Sequence, residues 1–255
     1  MENLQSDHLD TQNLYRDMQK RTGGEIYIGV VGPVRTGKST FIKRFMDVAV
    51  LPYMEDAAQK TRAQDELPQS AGGRTITTTE PKFIPQEAVE LKLAGEVTIR
   101  VRLVDCVGFM VEGAAGHLEN GAERLVKTPW YDHEIPFTQA AELGTRKVIT
   151  DHSTIGVVVT TDGSFSDLPQ ETYLDAENQA ISELKKLHKP FLVLVNSSHP
   201  SSRTAREAAE RIEKQHSVAA MPVNCAQLSE EDIRQIMEQI LYEFPVSRVE
   251  FYMPK

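Results

Sequence analysis

The segment that most constrains the fold is residues 32–40, GPVRTGKST, which match the phosphate-binding pattern G-x-x-x-x-G-K-[ST] at every fixed position. The glycines of this pattern allow a tight turn whose backbone N–H groups point at phosphate oxygens, and the positive end of the following helix faces the same anion. Residues 26–31 form an apolar, β-branched run, and residues 40–46 carry apolar residues at helical spacing. The segment predicts a strand, a phosphate loop and a helix; an ordinary glycine turn is the alternative.

The side chains of this Walker A loop have definite roles if it binds a nucleoside triphosphate. Lys38 is predicted to be catalytic and to neutralise the β- and γ-phosphates, and the Ser39 hydroxyl is predicted to be a ligand of Mg²⁺. The predicted nucleotide contacts in the loop are Gly32, Val34, Arg35, Thr36, Gly37, Lys38, Ser39 and Thr40.

A threonine run further along the chain is a candidate sensor of the γ-phosphate. Residues 52–69 are charged and are predicted to form a long mobile connection, and residues 74–81, RTITTTEP, follow shortly after. In P-loop switch proteins a threonine at this point closes over the γ-phosphate and its Mg²⁺. We therefore predict that Thr78 and Thr79 are catalytic sensors and that Thr79 is a metal ligand. The alternative is a β-prone run that only begins a strand.

An acidic residue at the end of a second apolar run predicts the other half of a metal site. Residues 97–105 alternate and then become wholly apolar, as in a strand that enters a core, and they end in Asp105-Cys106-Val107-Gly108. This is a Walker B aspartate within a D-x-x-G arrangement. Asp105 is predicted to be catalytic and to hold Mg²⁺ through water, and the N–H of Gly108 is predicted to contact the γ-phosphate.

The order of the predicted elements specifies the fold class. Strands alternate with helices along the chain, which predicts an α/β protein with three layers, a P-loop NTPase whose mostly parallel sheet has helices on both faces. At 255 residues the chain is long enough for one such domain. We expect a lead-in over residues 1–22, the nucleotide-binding domain over 23–245, and the start of a linker or a further module over 246–255.

Charge and composition exclude several classes of partner. The net charge of −9 disfavours nucleic acid and anionic lipid surfaces, and no stretch is long and apolar enough to insert directly into a membrane. The two cysteines, Cys106 and Cys225, form no metal-binding or disulfide pattern, which fits a reducing cytoplasm.

The segment after a later predicted strand bears on which base is bound. GTPases of this layout carry N-K-x-D there, and its carboxylate accepts hydrogen bonds from guanine. This chain has Asn196-Ser197-Ser198-His199, so the lysine and the aspartate are both missing. Without that carboxylate, the polar edge of a bound guanine would lack a hydrogen-bond partner, which favours ATP over GTP. Asn196 remains a candidate nucleotide contact, and His199 is either a base contact or a solvated loop residue.

The residue after D-x-x-G bears on how fast the nucleotide is hydrolysed. Ras-like proteins place a water-orienting glutamine there, but this chain has Phe109, whose ring cannot orient water, so turnover should be slow without other help. Arg35 is a catalytic candidate, because it resembles the arginine that acts as a finger in cis in guanylate-binding proteins. The alternative is that Arg35 faces solvent or a carboxylate of another chain.

Longer segments carry a resemblance that is more specific than any single motif. They closely resemble the stage IV sporulation protein A family over residues 21–245. The segments that carry the resemblance are residues 25–32, 34–43, 63–71, 78–83, 102–108, 128–131, 144–149 and 152–158.

The resemblance implies a Mg²⁺-dependent ATPase derived from translation-factor-like GTPases, with ATP and Mg²⁺ as its ligands. It implies that hydrolysis drives a conformational change and homopolymerisation of the basement layer of the spore coat, in the mother-cell cytoplasm at the forespore surface. Lys38, Asp105 and Thr78-Thr79 then correspond to the Walker A lysine, the Walker B aspartate and the sensor threonines. Family members are about twice as long, and their C-terminal region, which we expect to be missing here, contacts coat and cortex morphogenetic proteins and a small amphipathic membrane peptide.

Two other functions stay open on the residues alone. The chain could be a coat scaffold that binds nucleotide without significant turnover. It could also be a GTPase that acts on RNA, although the missing N-K-x-D and the acidic charge count against that function.

Overall fold

The fold is described from a computed structural model that covers residues 14, 16–68, 80–93, 97–114, 118–119, 122–166 and 168–245. The predicted sensors Thr78 and Thr79 lie outside the described residues, as do most of the lead-in and all of residues 246–255.

A six-stranded sheet forms the middle layer, in the spatial order β10-β9-β8-β1-β3-β2. All neighbouring strands are parallel except β2, which runs antiparallel to β3 at one edge. Every residue of β8 is buried, as expected for a central parallel strand that is covered on both faces. The strands of this sheet are β1 (Glu25–Val31), β2 (Lys82–Leu93), β3 (Val97–Asp105), β8 (Ile155–Thr161), β9 (Phe191–Asn196) and β10 (Ala220–Val223).

Helices cover both faces of this sheet, so the predicted three-layer α/β architecture is confirmed. One apolar core includes residues of α2 and α7, and the other includes residues of α4, α5 and α6. The helices are α1 (16–22), α2 (Lys38–Phe45), α3 (Ala57–Asp65), α4 (Phe137–Asp151), α5 (Leu174–Lys186), α6 (Arg203–His216) and α7 (Glu230–Tyr242).

Two connections between the strands of the main sheet contain regular structure. The prediction of a mobile connection over residues 52–69 is wrong for α3, because the side chain of Asp56 caps the helix by accepting from the N–H groups of Ala58 and Gln59. The connection after Phe109 contains two short ribbons, β4 (Leu118–Glu119) with β5 (Ala122–Glu123), and β6 (Leu125–Thr128) with β7 (Tyr131–Pro136). In the part of the chain that the structure describes, no helix is long and apolar enough to span a bilayer.

Candidate nucleotide-binding site

The phosphate loop connects β1 to α2 at the carboxyl end of the parallel strands, where open α/β sheets bind their ligands. Gly32 has φ +129°, and a Cβ atom at this position would lie 2.4 Å from the carbonyl oxygen of Val159, so the close approach of β8 requires glycine. The loop also pairs with the D-x-x-G segment, because Phe109 N donates to Gly32 O (3.0 Å) and Val34 N donates to Phe109 O (2.9 Å). The two predicted motifs therefore form one connected structure.

Two side chains fix the far end of the loop to the sheet. The Thr36 hydroxyl is fully buried and donates to Val159 O (2.6 Å). The amide of Asn196 at the end of β9 donates to Thr36 O (2.9 Å), and its oxygen accepts from Cys225 N (3.0 Å). Both polar ends of the Asn196 amide are thus bonded to backbone, and in this structure the side chain holds the loop in place at Thr36.

The ammonium group of Lys38 lies inside the loop. The side chain is buried, and Nζ donates to the carbonyl oxygen of Pro33 (2.6 Å). Burial lowers the pKa of Lys38, while the nearby Cys106 thiol and Asp105 carboxylate oppose that shift. A buried cation that is bonded to a neutral carbonyl gains strongly from a multiply charged anion, because the surroundings screen the attraction poorly.

Ser39 and Asp105 form the predicted pair of oxygen donors. Ser39 Oγ donates to Asp105 Oδ2 (2.7 Å), and Cys106 N donates to Asp105 Oδ1 (2.9 Å). Burial raises the pKa of Asp105, and the Ser39 hydrogen bond and the charge of Lys38 oppose that shift. A hydroxyl and a carboxylate beside a phosphate loop are the donors that Mg²⁺ prefers when phosphate and water complete its shell, so these residues fit the predicted metal.

The Gly108 amide has a partner that the sequence did not reveal. Gly108 has φ +99°, and a Cβ atom at this position would lie 2.6 Å from Lys38 Nζ, so this backbone lies directly against the ammonium. Its N–H donates to Thr145 Oγ1 on α4 (3.2 Å). Thr145 lies in the segment 144–149 that contributes to the family resemblance, but nothing in that segment predicts a contact with Gly108, which is 37 residues away in the chain.

The other predicted site residues differ in how exposed they are to solvent. Val34 is buried, Arg35 is exposed with φ +62°, and Thr40 lies partly buried in α2. The Phe109 ring is buried in the core. His199 lies beside a polar cavity of about 560 Å³ between the loops after β8 and β9, with Asp162 and Ser164 also in its wall.

Both cysteine thiols are buried. Burial raises the pKa of the Cys106 thiol to about 11 and that of Cys225 further still, so both remain protonated at neutral pH.

The sequence of this chain matches a known protein family. A family model described as "Stage IV sporulation protein A, ATPase domain" matches residues 9–245. The chain belongs to this family. The resemblance carried by the separate sequence segments is therefore confirmed.

Relatives within the stage IV sporulation protein A family are close in sequence. The protein of that name from Clostridioides difficile strain 630 is 49% identical over 243 residues, which are 95% of this chain and 50% of the relative. Those from Bacillus anthracis and Bacillus subtilis strain 168 are each 45% identical over 246 residues, which are 96% of this chain and 50% of the relative. The chain thus spans about half the length of the curated relatives it matches.

Among solved structures, a crystal structure of a variant of SsGBP superposes with a TM-score of 0.46 at 13% identity, over 94% of this chain and 66% of that one.

Proposed function

We propose that this chain is a Mg²⁺-dependent ATPase module that hydrolyses ATP to ADP and phosphate, and that its domain spans residues 23–245. The observation that carries the proposal is the buried Lys38 ammonium, enclosed by the phosphate loop, next to the 2.7 Å Ser39–Asp105 pair. The family to which the chain belongs supports the same activity, since its description names an ATPase domain.

Each residue has a role in this proposal. Lys38 and the loop amides bind the phosphates and stabilise the charge that moves onto the leaving oxygen. Ser39 and Asp105 would hold Mg²⁺, with Asp105 proposed to act through water, and the metal would supply positive charge that offsets the charge of the phosphates. Thr79 is proposed as a further metal ligand and, with Thr78, as the sensor of the γ-phosphate, and Arg35 as a finger in cis.

We propose ATP rather than GTP because the segment after β9 lacks the carboxylate that recognises guanine. The one residue that matches the guanine-binding pattern does not argue for guanine. Asn196, which is retained from the guanine-binding pattern, is bonded to Thr36 O and Cys225 N and so contributes to the loop whichever base is bound.

In the cell, we propose that hydrolysis drives a conformational change and homopolymerisation of the basement layer of the spore coat, at the forespore surface in the mother-cell cytoplasm. The names of the relatives support a role in sporulation. Contacts with coat and cortex morphogenetic proteins and with a small amphipathic membrane peptide are proposed for the part of the relatives that this chain does not span. Nucleic acid is not proposed as a partner.

The test is Mg²⁺-dependent phosphate release by the purified chain and two site variants. Lys38→Ala and Asp105→Asn should each lower the rate by about a hundredfold or more, because the first removes a cation that stabilises the transition state and the second weakens binding of the metal that does so. Lys43→Ala is the matched control, since Lys43 lies on the same helix but outside the loop. Unchanged release in both site variants would contradict the proposal.

A scaffold that binds nucleotide without turnover is the second candidate, and the buried Phe109 in place of a water-orienting glutamine favours it. In that case ATP at a hundred times its Kd should stabilise the fold by about 2.7 kcal/mol while no phosphate is released at any protein concentration.

A further inference from the structure

The hydroxyl of Thr145 has a fixed orientation. The side chain is fully buried, and its hydrogen is donated to Ala141 O (2.8 Å) one turn earlier in α4. A lone pair of the oxygen is therefore left to accept the N–H of Gly108, at 3.2 Å. The helix holds this acceptor at a defined place, because α4 packs against β1 and pairs with α5 through Arg146 and Glu183.

The Gly108 amide lies where the terminal phosphate is expected. Gly108 belongs to the segment that pairs with the phosphate loop. Its Cα hydrogen faces Lys38, because a Cβ atom at this position would lie 2.6 Å from Lys38 Nζ. A backbone N–H makes one strong hydrogen bond at a time. A bond from this amide to a phosphate oxygen must therefore replace the bond to Thr145.

We propose that Thr145 is a positioning residue that competes with the terminal phosphate for the Gly108 amide, so that its hydroxyl sets how strongly the site prefers a triphosphate over a diphosphate. This inference rests on the proposed function. With ADP bound, the amide stays on Thr145, and with ATP bound it moves to the phosphate. Because Thr145 is part of α4, the exchange also couples the nucleotide to that helix and to the β6–β7 ribbon before it, where Phe137 N donates to Arg124 O (2.8 Å).

The expected consequence is a change in a ratio of affinities. Thr145→Val keeps the shape of the side chain but removes the hydroxyl acceptor, so the buried Gly108 N–H is left with the Cys106 sulfur, a weak acceptor, unless a terminal phosphate supplies a strong one. The ratio of affinity for the Mg²⁺-loaded β,γ-imido analogue of ATP to that for Mg²⁺-ADP should rise about fivefold, which is the equilibrium value of one neutral hydrogen bond. Thr145→Ser keeps the hydroxyl and should retain the wild-type ratio.

Titration calorimetry with both nucleotides on the three proteins decides the matter. A raised ratio in Thr145→Val with a wild-type ratio in Thr145→Ser supports the inference, whereas equal changes in both affinities would show a merely structural role and overturn it. If neither nucleotide binds the wild-type chain, the proposed function fails instead, so the two failures are distinguishable.

A second measurement covers the case in which Thr145→Val does not fold. In wild-type protein labelled with ¹⁵N-glycine, the Gly108 amide proton should shift between the ADP and β,γ-imido ATP complexes, because its acceptor changes from a hydroxyl to a charged phosphate oxygen. An unchanged Gly108 signal between the two complexes would overturn the inference.

Discussion

At the scale of single residues, Asn196 shows that a residue retained from a base-recognition motif can serve the phosphate loop. Its side chain joins two backbone groups that are distant in sequence, Thr36 O and Cys225 N, and it is buried between them. Neither group can turn to water if the amide is removed. The residue therefore contributes to stability and to the shape of the loop together.

We predict that Asn196→Ala lowers the free energy of unfolding by about 2–5 kcal/mol, because it leaves two buried backbone groups without partners. It should also weaken the binding of ATP and of GTP by the same factor, since the loop is proposed to bind the phosphates and not the base. Urea denaturation and competition binding are the measurements.

Asn224→Ala is the matched control for this change. Asn224 accepts a single exposed bond from Ala226 N (3.1 Å), and its replacement should alter stability by less than about 1 kcal/mol. A loss of discrimination between ATP and GTP in Asn196→Ala, with the affinity for one of them unchanged, would instead make Asn196 a base contact.

At the scale of elements, a buried ion pair connects β8 to two helices. The Glu177 side chain on α5 is 1% exposed, accepts from Thr160 Oγ1 (2.7 Å) and pairs with Arg211 Nη2 on α6 (2.7 Å). Thr160 follows Val159, whose carbonyl holds the loop through Thr36. The orientation of β8 behind the phosphate loop thus depends in part on this pair.

Removing one partner should destabilise the fold far more than the intact pair stabilises it. We predict that Glu177→Ala lowers the free energy of unfolding by about 3–5 kcal/mol, because Arg211 is left as an uncompensated, largely buried charge. The surface pair Arg203–Glu207 has the same 2.7 Å separation with side chains 86% and 57% exposed, so Glu207→Ala should cost less than about 1 kcal/mol in the same urea titration. Equal losses in the two variants would show that burial does not govern the strength of these pairs.

At the scale of the whole molecule, two histidines should make stability depend on pH. Burial lowers the pKa of His152 and of His216, and nearby cations add to the effect, including Arg102 and Lys147 at His152 and Lys185 and Arg211 at His216. Asp151 and Glu177 oppose the respective shifts. In both cases the folded chain binds protons less readily than the unfolded chain.

The sign of the pH effect follows from this difference. The unfolded histidines have a pKa of about 6.5, so below that pH the unfolded state binds more protons, and the free energy of unfolding should fall as the pH decreases from 7 to about 5.5. The double variant His152→Gln, His216→Gln should flatten this slope, and His133→Gln, on the exposed β6–β7 ribbon, controls for replacing a histidine. An unchanged slope in the double variant, measured by urea titration across that range, would contradict the assignment.

Much of this protein could be predicted from local sequence, because the features concerned are local. The phosphate loop needs its glycines, lysine and serine at consecutive positions, and the alternation of apolar strands and helices leads to a three-layer α/β fold. Asp105 could be found for the same reason, as the acidic end of an apolar strand. Helix α3 was missed, since its cap at Asp56 lies in a segment with few apolar residues, and the role of Thr78 and Thr79 stays a prediction.

The tertiary structure alone decided what supports the site. Asn196 meets Thr36 across 160 positions of the chain, and Thr145 meets Gly108 across 37. Sequence patterns pointed to Asn196 as a nucleotide contact and to residues 144–149 only as part of a family resemblance, so neither pattern predicted these backbone contacts. The contacts arise because the sheet order places β9 and α4 around the loop. The sequence specified the groups that we propose to bind the phosphates, since a turn of consecutive residues brings them together. The partners of those groups came from the topology, because buried backbone groups must be satisfied by whichever side chain the fold brings beside them.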